Sequence, residues 1–231
     1  MRDTIVAGAE SVLRARRGAV LTARADQSIE EPDHDERTSA APTILIVPGL
    51  RDHVPAHWQT LPRAEARERE VRAADGADQD KLSCAAWVAE LDKSLAAIAG
   101  PVILVAHSAG VMIVVHWAQR HRRPIVGALL AAPPDFESPL PEGYPTQQVL
   151  RDNGWLPTPR AALPFPTIVA CEHQRSARAV TSASRRSRGP GAARSSMLGN
   201  VGHLNPASGY GEWPQAEEFI RELAHTSTSP R

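Results

Sequence analysis

A serine follows a run of strand-forming residues near the middle of the chain. Residues 102–107 read Val-Ile-Leu-Val-Ala-His, and Ser108 stands two positions from both Ala106 and Gly110. A buried strand, a sharp turn that carries a nucleophile and then a helix form a nucleophile elbow. The strained turn demands small residues at those two flanking positions, although alanine replaces the glycine that usually comes first. The pattern predicts that Ser108 is a nucleophile.

A serine nucleophile needs a base, and His203 is the histidine best placed to supply it. It lies in a glycine-containing loop after the last predicted strand and before the final helix, and it follows the serine in chain order. Three other histidines fall on predicted helices, where packing or surface exposure is the simpler interpretation: His116, His121 and His225. His53 and His57 follow the first strand and could line a pocket.

Two backbone N–H groups are expected to bind the oxyanion that forms when a serine attacks a carbonyl group. One belongs to Ala109, the residue after the serine. The other belongs to the loop after the first strand, where Leu50 follows Gly49. A backbone donor leaves no side-chain signature, so position in the loop is the basis for choosing Leu50.

These residues require a scaffold of alternating strands and helices. Short apolar runs predict buried strands at 43–47, 102–105, 125–132 and 166–171, with a weaker strand at 71–73. Helices are predicted at 56–70, around Trp87–Ile98, at 109–119 and at 214–224. The alternation indicates a mostly parallel sheet covered on both faces. Residues 136–165 are rich in proline and glycine and predict a long loop of the kind that often lies over an active site.

Composition limits the classes of function. The chain has 231 residues with 26 basic and 26 acidic side chains, so no net charge points to nucleic acid or membrane partners. Its two cysteines form no motif for zinc or a disulfide framework, and no leader or spanning segment is evident; we expect a soluble cytoplasmic protein. Residues 1–41 are predicted to be a disordered extension and residues 42–226 one domain.

Several blocks of sequence together resemble a known family. They are Ile46–Leu50 with Pro55–Gln59, Val105–Gly110, Ala131–Asp135, Leu163–Ala170 and Gly202–Pro214. In these blocks the chain resembles the small serine hydrolases of the α/β-hydrolase fold that are related to retinoblastoma-binding protein nine and its bacterial relatives. The resemblance covers about residues 43–224, apart from one interval.

The resemblance implies an α/β-hydrolase fold with little or no cap domain and a Ser–His–Asp triad without cofactor or metal. It also implies esterase-like activity on a small-molecule acyl or ester substrate. Nothing in the sequence identifies a protein partner.

The interval that departs from the family is residues 174–198. Relatives carry the triad acid in an Asp-Pro pair shortly after the strand at 166–171, where this chain has Gln174 and Arg175. From Gln174 to Val201 there is no Asp or Glu, and arginines accumulate. Either the stretch is locally frameshifted, or it is a true basic loop that binds an anion or a partner. We favour the first interpretation because the stretch replaces family sequence of similar length.

Two other carboxylates could substitute for the missing acid. Glu172 lies two residues before the expected position, and Asp135 follows the preceding strand. Loss of the acid from a comparable triad lowers kcat by about 10⁴-fold. The sequence therefore predicts a serine hydrolase that uses Ser108 and His203. The alternative is a catalytically impaired hydrolase-fold protein that acts as a binding module; nucleic-acid binding through the arginines is the weakest interpretation, because aromatic residues are not interleaved with them.

Overall fold

Parallel β-strands alternate with α-helices along the chain. The computed structural model describes residues 41–49, 57–59, 68–70, 82–172, 180 and 193–226. In this part of the chain the strands are β1 (Thr43–Val47), β2 (Glu68–Glu70), β3 (Val102–His107), β4 (Gly127–Ala131), β5 (Thr167–Cys171) and β6 (Ala193–Met197). The helices are α1 (Cys84–Ala96), α2 (Ala109–Arg120), α3 (Gln147–Asp152) and α4 (Pro214–Thr226), and a short 3-10 helix spans Pro206–Ser208.

The described strands form one sheet in the order β2-β1-β3-β4-β5-β6, and every neighbouring pair is parallel. Each of β1, β3, β4 and β5 is buried along its whole length, as expected of strands covered on both faces. All of their carboxyl ends lie at one edge of the sheet. The loops that follow β1 and β3 therefore meet at that edge, where open parallel sheets bind ligands.

Side chains of the central strands alternate between two apolar layers. Leu45 and Leu104 belong to the layer that α1 and α2 cover, whereas Ile44 and Ile103 belong to the layer that α4 covers. This alternation follows from the two-residue period of a strand, which sends successive side chains to opposite faces. Continuous apolar runs are therefore required in β1 and β3, and the sequence supplies them.

Most predicted elements that fall within the described residues occur within one to three residues of their predicted bounds. The weak strand predicted at 71–73 and most of the helix predicted at 56–70 lie outside the described residues. A strand, Glu68–Glu70, occurs where the end of that helix was predicted. Its backbone pairs with β1, with Ile44 opposite Glu68. Three polar residues carry no strand pattern, so pairing with a neighbouring strand decides their conformation.

The arginine-rich interval contains a strand that the sequence pattern did not predict. Ala193–Met197 forms β6 and pairs in parallel with β5, with Val169 opposite Ser195. Arg194 reaches α4, where its Nε atom lies 2.9 Å from Glu222 Oε1 and its guanidinium group lies 5.2 Å from the ring centroid of Phe219. The apolar alternation of a strand is absent because much of the side-chain surface of β6 is exposed.

The predicted loop at 136–165 contains one short helix, α3, and it is anchored in the apolar core. Trp155 is fully buried, and its indole N–H donates to the Leu82 carbonyl. On the other side, His116 Nε2 lies 3.1 Å from the Trp155 carbonyl oxygen. This part of the loop therefore packs beside α1 and α2.

All described residues belong to one compact unit, Ser39–Arg231. The predicted N-terminal extension, residues 1–41, lies outside the described residues except for Ala41, and so do most of residues 174–198. The extension and the domain bounds therefore remain predictions. Within the described residues, none of the helices has the length and apolar character to cross a membrane.

Candidate active site

Ser108 occupies the turn between β3 and α2. Its backbone angles are φ 55° and ψ −128°, outside the usual regions for a residue with a side chain. Such geometry costs on the order of 1–3 kcal/mol and persists only where the surroundings impose it. Here the Ser108 N–H donates to the Ala131 carbonyl at 3.0 Å, which fixes the turn to the end of β4. The turn leaves the serine half-buried at the carboxyl edge of the sheet.

Close packing around the turn explains the small residues that flank the serine. A Cβ atom on Gly110 would lie 2.2 Å from the Val47 carbonyl oxygen and 2.5 Å from that of Pro48. Ala106 is fully buried and pairs with Val47, so β1 and β3 are held together just below the turn. A Cβ atom on Gly49 would lie 3.2 Å from Ser108 Cβ. The loop after β1 therefore passes directly beside the serine.

His203 lies in the loop between β6 and α4, and its Nε2 atom is 2.8 Å from Ser108 Oγ. Burial lowers the pKa of His203 below its ordinary value of 6.5. The imidazole is therefore neutral near pH 7, and an unprotonated Nε2 can accept the serine proton. A hydroxyl group with a neutral imidazole at hydrogen-bond distance is the arrangement that activates a serine nucleophile.

Neither of the candidate acids is bonded to His203. Asp135 accepts hydrogen bonds from the Glu137 N–H at 3.2 Å and from Ser138 Oγ at 2.8 Å, so its carboxylate stabilises the turn after β4. Glu172 follows β5 and is half-buried, and no hydrogen bond or ion pair connects it with His203. Within the described ranges, His203 Nδ1 has no carboxylate partner.

Of the two predicted oxyanion donors, only Ala109 lies within the described residues. It is the first residue of α2, where backbone N–H groups have no partner within the helix and the helix dipole favours negative charge. Ala109 is buried next to the half-buried Ser108. Leu50 lies outside the described residues, so its role remains a prediction, although Gly49 before it is close to the serine.

His107 contributes to the site and was not recognised from the sequence. It is the last residue of β3, and its Nε2 atom lies 2.7 Å from the His203 carbonyl oxygen. Its ring centroid lies 4.5 Å from that of His57 and 5.0 Å from that of His203. Burial lowers the pKa of His107 to about 3, so this imidazole is neutral at any pH near 7. A histidine within a strand-and-turn motif gives no sign of a partner 96 positions away.

The other histidines and the cysteines that the structure describes lie as follows. His57 is buried at the site, where its ring lies 5.5 Å from that of Trp58; His53 lies outside the described residues. His116 is buried on α2, His121 pairs with Asp92, and His225 is exposed. Cys84 and Cys171 are both buried. Within the described part of the chain no group of three or more His, Cys, Asp or Glu side chains is arranged to hold a metal ion.

Comparisons with known proteins bear on the family and the fold. A family model described as serine hydrolase matches residues 44–222. The structure resembles a YdeN-like hydrolase from Pectobacterium atrosepticum with 23% identity and a TM-score of 0.59, over 79% of this chain and 90% of that one. Human thioesterase 2 aligns with 12% identity and a TM-score of 0.44, over 83% of this chain and 100% of that one. No protein among the curated ones matches. The predicted α/β-hydrolase fold is confirmed.

Proposed function

Because the chain belongs to the serine hydrolase family, we propose that it hydrolyses an ester or related acyl substrate by nucleophilic catalysis at Ser108. One observation carries the proposal, namely the 2.8 Å separation between Ser108 Oγ and His203 Nε2. These two atoms come from loops 95 positions apart in the chain. The strained backbone at Ser108 supports the same assignment, because the fold maintains it at a cost to stability.

The proposed reaction has two stages. Ser108 Oγ attacks the carbonyl carbon of the substrate while His203 Nε2 takes the hydroxyl proton, and backbone N–H groups of Ala109 and Leu50 bind the oxyanion. His203 then gives the proton to the leaving alcohol as the acyl–oxygen bond breaks, which leaves an acyl group on Ser108. A water molecule, deprotonated by His203, then attacks this acyl group; the bond to Ser108 Oγ breaks, His203 returns the proton to Ser108 Oγ, and the carboxylic acid is released.

Among the described residues His203 has no carboxylate partner, and this sets the expected rate. A triad acid keeps the imidazole in the correct tautomer and stabilises the imidazolium, and its loss costs about 10⁴-fold in kcat. Oxyanion stabilisation and substrate binding still support about 10³- to 10⁴-fold catalysis when triad groups are removed. We therefore assign the chemistry to Ser108 and His203 alone, with turnover slower than that of a complete triad.

The lack of a carboxylate partner for His203 among the described residues favours a second candidate function, a hydrolase-fold protein that binds a partner or ligand without turnover. In addition, Gln174 and Arg175 stand where the family resemblance implies an Asp-Pro pair. A protein of this second kind would retain the fold and the Ser108 turn without a reactive hydroxyl group.

Labelling with a fluorophosphonate probe distinguishes the two functions, because the probe reacts only with an activated serine. We expect the unmodified protein to be labelled and Ser108→Ala to show no labelling. Ser138→Ala is the matched control, since Ser138 is also hydrogen-bonded and half-buried but its partner is Asp135. Absence of labelling in the folded, unmodified protein favours the binding module. Persistent labelling of Ser108→Ala contradicts the assignment of the nucleophile.

A further inference from the structure

We propose that His107 is a positioning residue for His203, holding its backbone so that the imidazole faces Ser108 without help from a carboxylate. The inference rests on the proposed function, since it assigns a role within the same reaction. Its physical basis is a contact to the main chain of His203, whereas a triad acid contacts the side chain.

Two successive residues, His107 and Ser108, both contact His203. His107 Nε2 lies 2.7 Å from the His203 carbonyl oxygen, and Ser108 Oγ lies 2.8 Å from His203 Nε2. The main chain and the side chain of His203 are thus both contacted from the end of β3. A strand buried along its whole length is a rigid support, so the position of His203 is fixed relative to the nucleophile.

The direction of the hydrogen bond follows from its chemistry. A carbonyl oxygen only accepts, so His107 Nε2 must carry the proton and Nδ1 must be bare. His107 is 6% exposed, and burial keeps the ring neutral. A short hydrogen bond to a buried imidazole is costly to break, because the ring would be left without its partner.

A second donor holds the next carbonyl of the same loop. Trp58 Nε1 donates to the Leu204 carbonyl oxygen at 3.0 Å, and Leu204 is buried with φ 52°. The N–H of His203 donates to Ser208 Oγ at 3.1 Å. Consecutive carbonyls at positions 203 and 204 are therefore both held by side-chain donors, which explains how a strained loop keeps one conformation.

His116 offers a matched control. It is also a buried histidine whose Nε2 atom bonds a main-chain carbonyl, that of Trp155 at 3.1 Å, and burial also lowers its pKa. Its partner lies in the loop that packs beside α1 and α2, in the apolar layer away from His203. Substitution of His116 reproduces the loss of a buried histidine hydrogen bond without touching the loop of the base.

The experiment compares His107→Leu, His107→Gln and His116→Leu with the unmodified protein. Two quantities are measured: the second-order rate of fluorophosphonate labelling, and amide hydrogen exchange across residues 201–208. A misplacement of about 1 Å costs about 100-fold in rate, and loss of one neutral hydrogen bond costs up to about tenfold. We expect the labelling rate of His107→Leu to be about 10- to 100-fold lower, and the amide hydrogens of residues 201–208 to exchange faster. Glutamine supplies an amide donor, so His107→Gln should recover much of both quantities.

His116→Leu should lower thermal stability while labelling and exchange at 201–208 stay close to the unmodified values. Equal slowing in His107→Leu and His116→Leu overturns the proposal, because the effect is then general destabilisation. If His107→Leu does not fold, Trp58→Phe replaces it and should produce faster exchange at 201–208. If the folded, unmodified protein is not labelled, the proposed function fails. The positioning role is then tested by hydrogen exchange alone, and unchanged exchange at 201–208 in the His107 variants overturns it.

Discussion

Gly110 and Val47 are packed so tightly that a Cβ atom on the glycine would lie 2.2 Å from the valine carbonyl oxygen. The neighbouring atom belongs to the main chain of β1, so no side-chain rotation relieves the contact. The first turn of α2 therefore rests directly on the end of β1, and the helix that starts after Ser108 cannot be displaced without separating two central elements of the fold.

Gly110→Ala should consequently lower the free energy of unfolding by about 1–3 kcal/mol or more, the range for overpacked cores. Urea denaturation measures the change. Gly211→Ala is the control, because a Cβ atom there meets nothing within 4 Å and the expected change is within about 0.5 kcal/mol. Equal stability of the two variants would show that the end of β1 can yield.

Gly49→Ala should affect chemistry more than stability. The new methyl group would lie 3.2 Å from Ser108 Cβ and 3.5 Å from Ser108 Oγ, where it would crowd the nucleophile. We expect fluorophosphonate labelling to slow by about tenfold or more, since misplacement of reacting groups is costly. The thermal midpoint should change little. Labelling of Gly49→Ala at the unmodified rate would contradict this expectation, because it would show that the added methyl group does not hinder reaction at Ser108.

The pH dependence of labelling should reflect His203. A general base works when neutral, and burial lowers the pKa of His203 below 6.5. The labelling rate should therefore rise with pH along a limb whose midpoint lies below 6.5, and then level off. Rates measured between pH 4 and pH 8 test this expectation. A midpoint above 6.5 would contradict it, because it requires a negative charge beside the imidazole.

Glu172→Gln and Asp135→Asn should each label at close to the unmodified rate, because neither carboxylate is bonded to His203. Asp135→Asn is expected to cost about 1 kcal/mol of stability through the turn that Asp135 stabilises. Labelling rates together with urea denaturation separate the two effects. A loss of several orders of magnitude in either variant would identify that residue as the acid.

His107 should make the protein sensitive to acid. Its pKa is about 3 when folded and ordinarily 6.5, so between these values the unfolded chain binds the extra proton. The free energy of unfolding should therefore fall as pH decreases from 6.5 towards 3, by about 1.4 kcal/mol per pH unit from this group. His107→Gln removes the group and should show a shallower dependence in urea denaturation at pH 7, 6 and 5. Parallel curves for the two proteins would contradict the expectation.

Much of the fold was predictable because four central strands are buried on both faces and read as apolar runs. The two outer strands were not, since Glu68–Glu70 and Ala193–Met197 lack an apolar pattern and depend on pairing with β1 and β5. Long-range pairing has no local signature, so periodicity cannot reveal it.

For the candidate site, the residue types at Ser108 and His203 and their chain order were informative, and the structure brings the two side chains together. The contact of His107 was not predictable, because it joins a ring to a main-chain oxygen, and any residue could supply that oxygen. The nearby carboxylates invited assignment as the acid by proximity in sequence, but Asp135 stabilises its own turn.

Hydrogen bonds connect the loop that carries His203 with Trp58 and with the end of β3. In the sheet, β4 and β5 lie between β3 and β6. Substitutions accumulating between Gln174 and Ala192 therefore need not disturb the serine–histidine pair. Such an arrangement confers mutational robustness, because the sequence of that segment can change while Ser108 and His203 stay at hydrogen-bond distance.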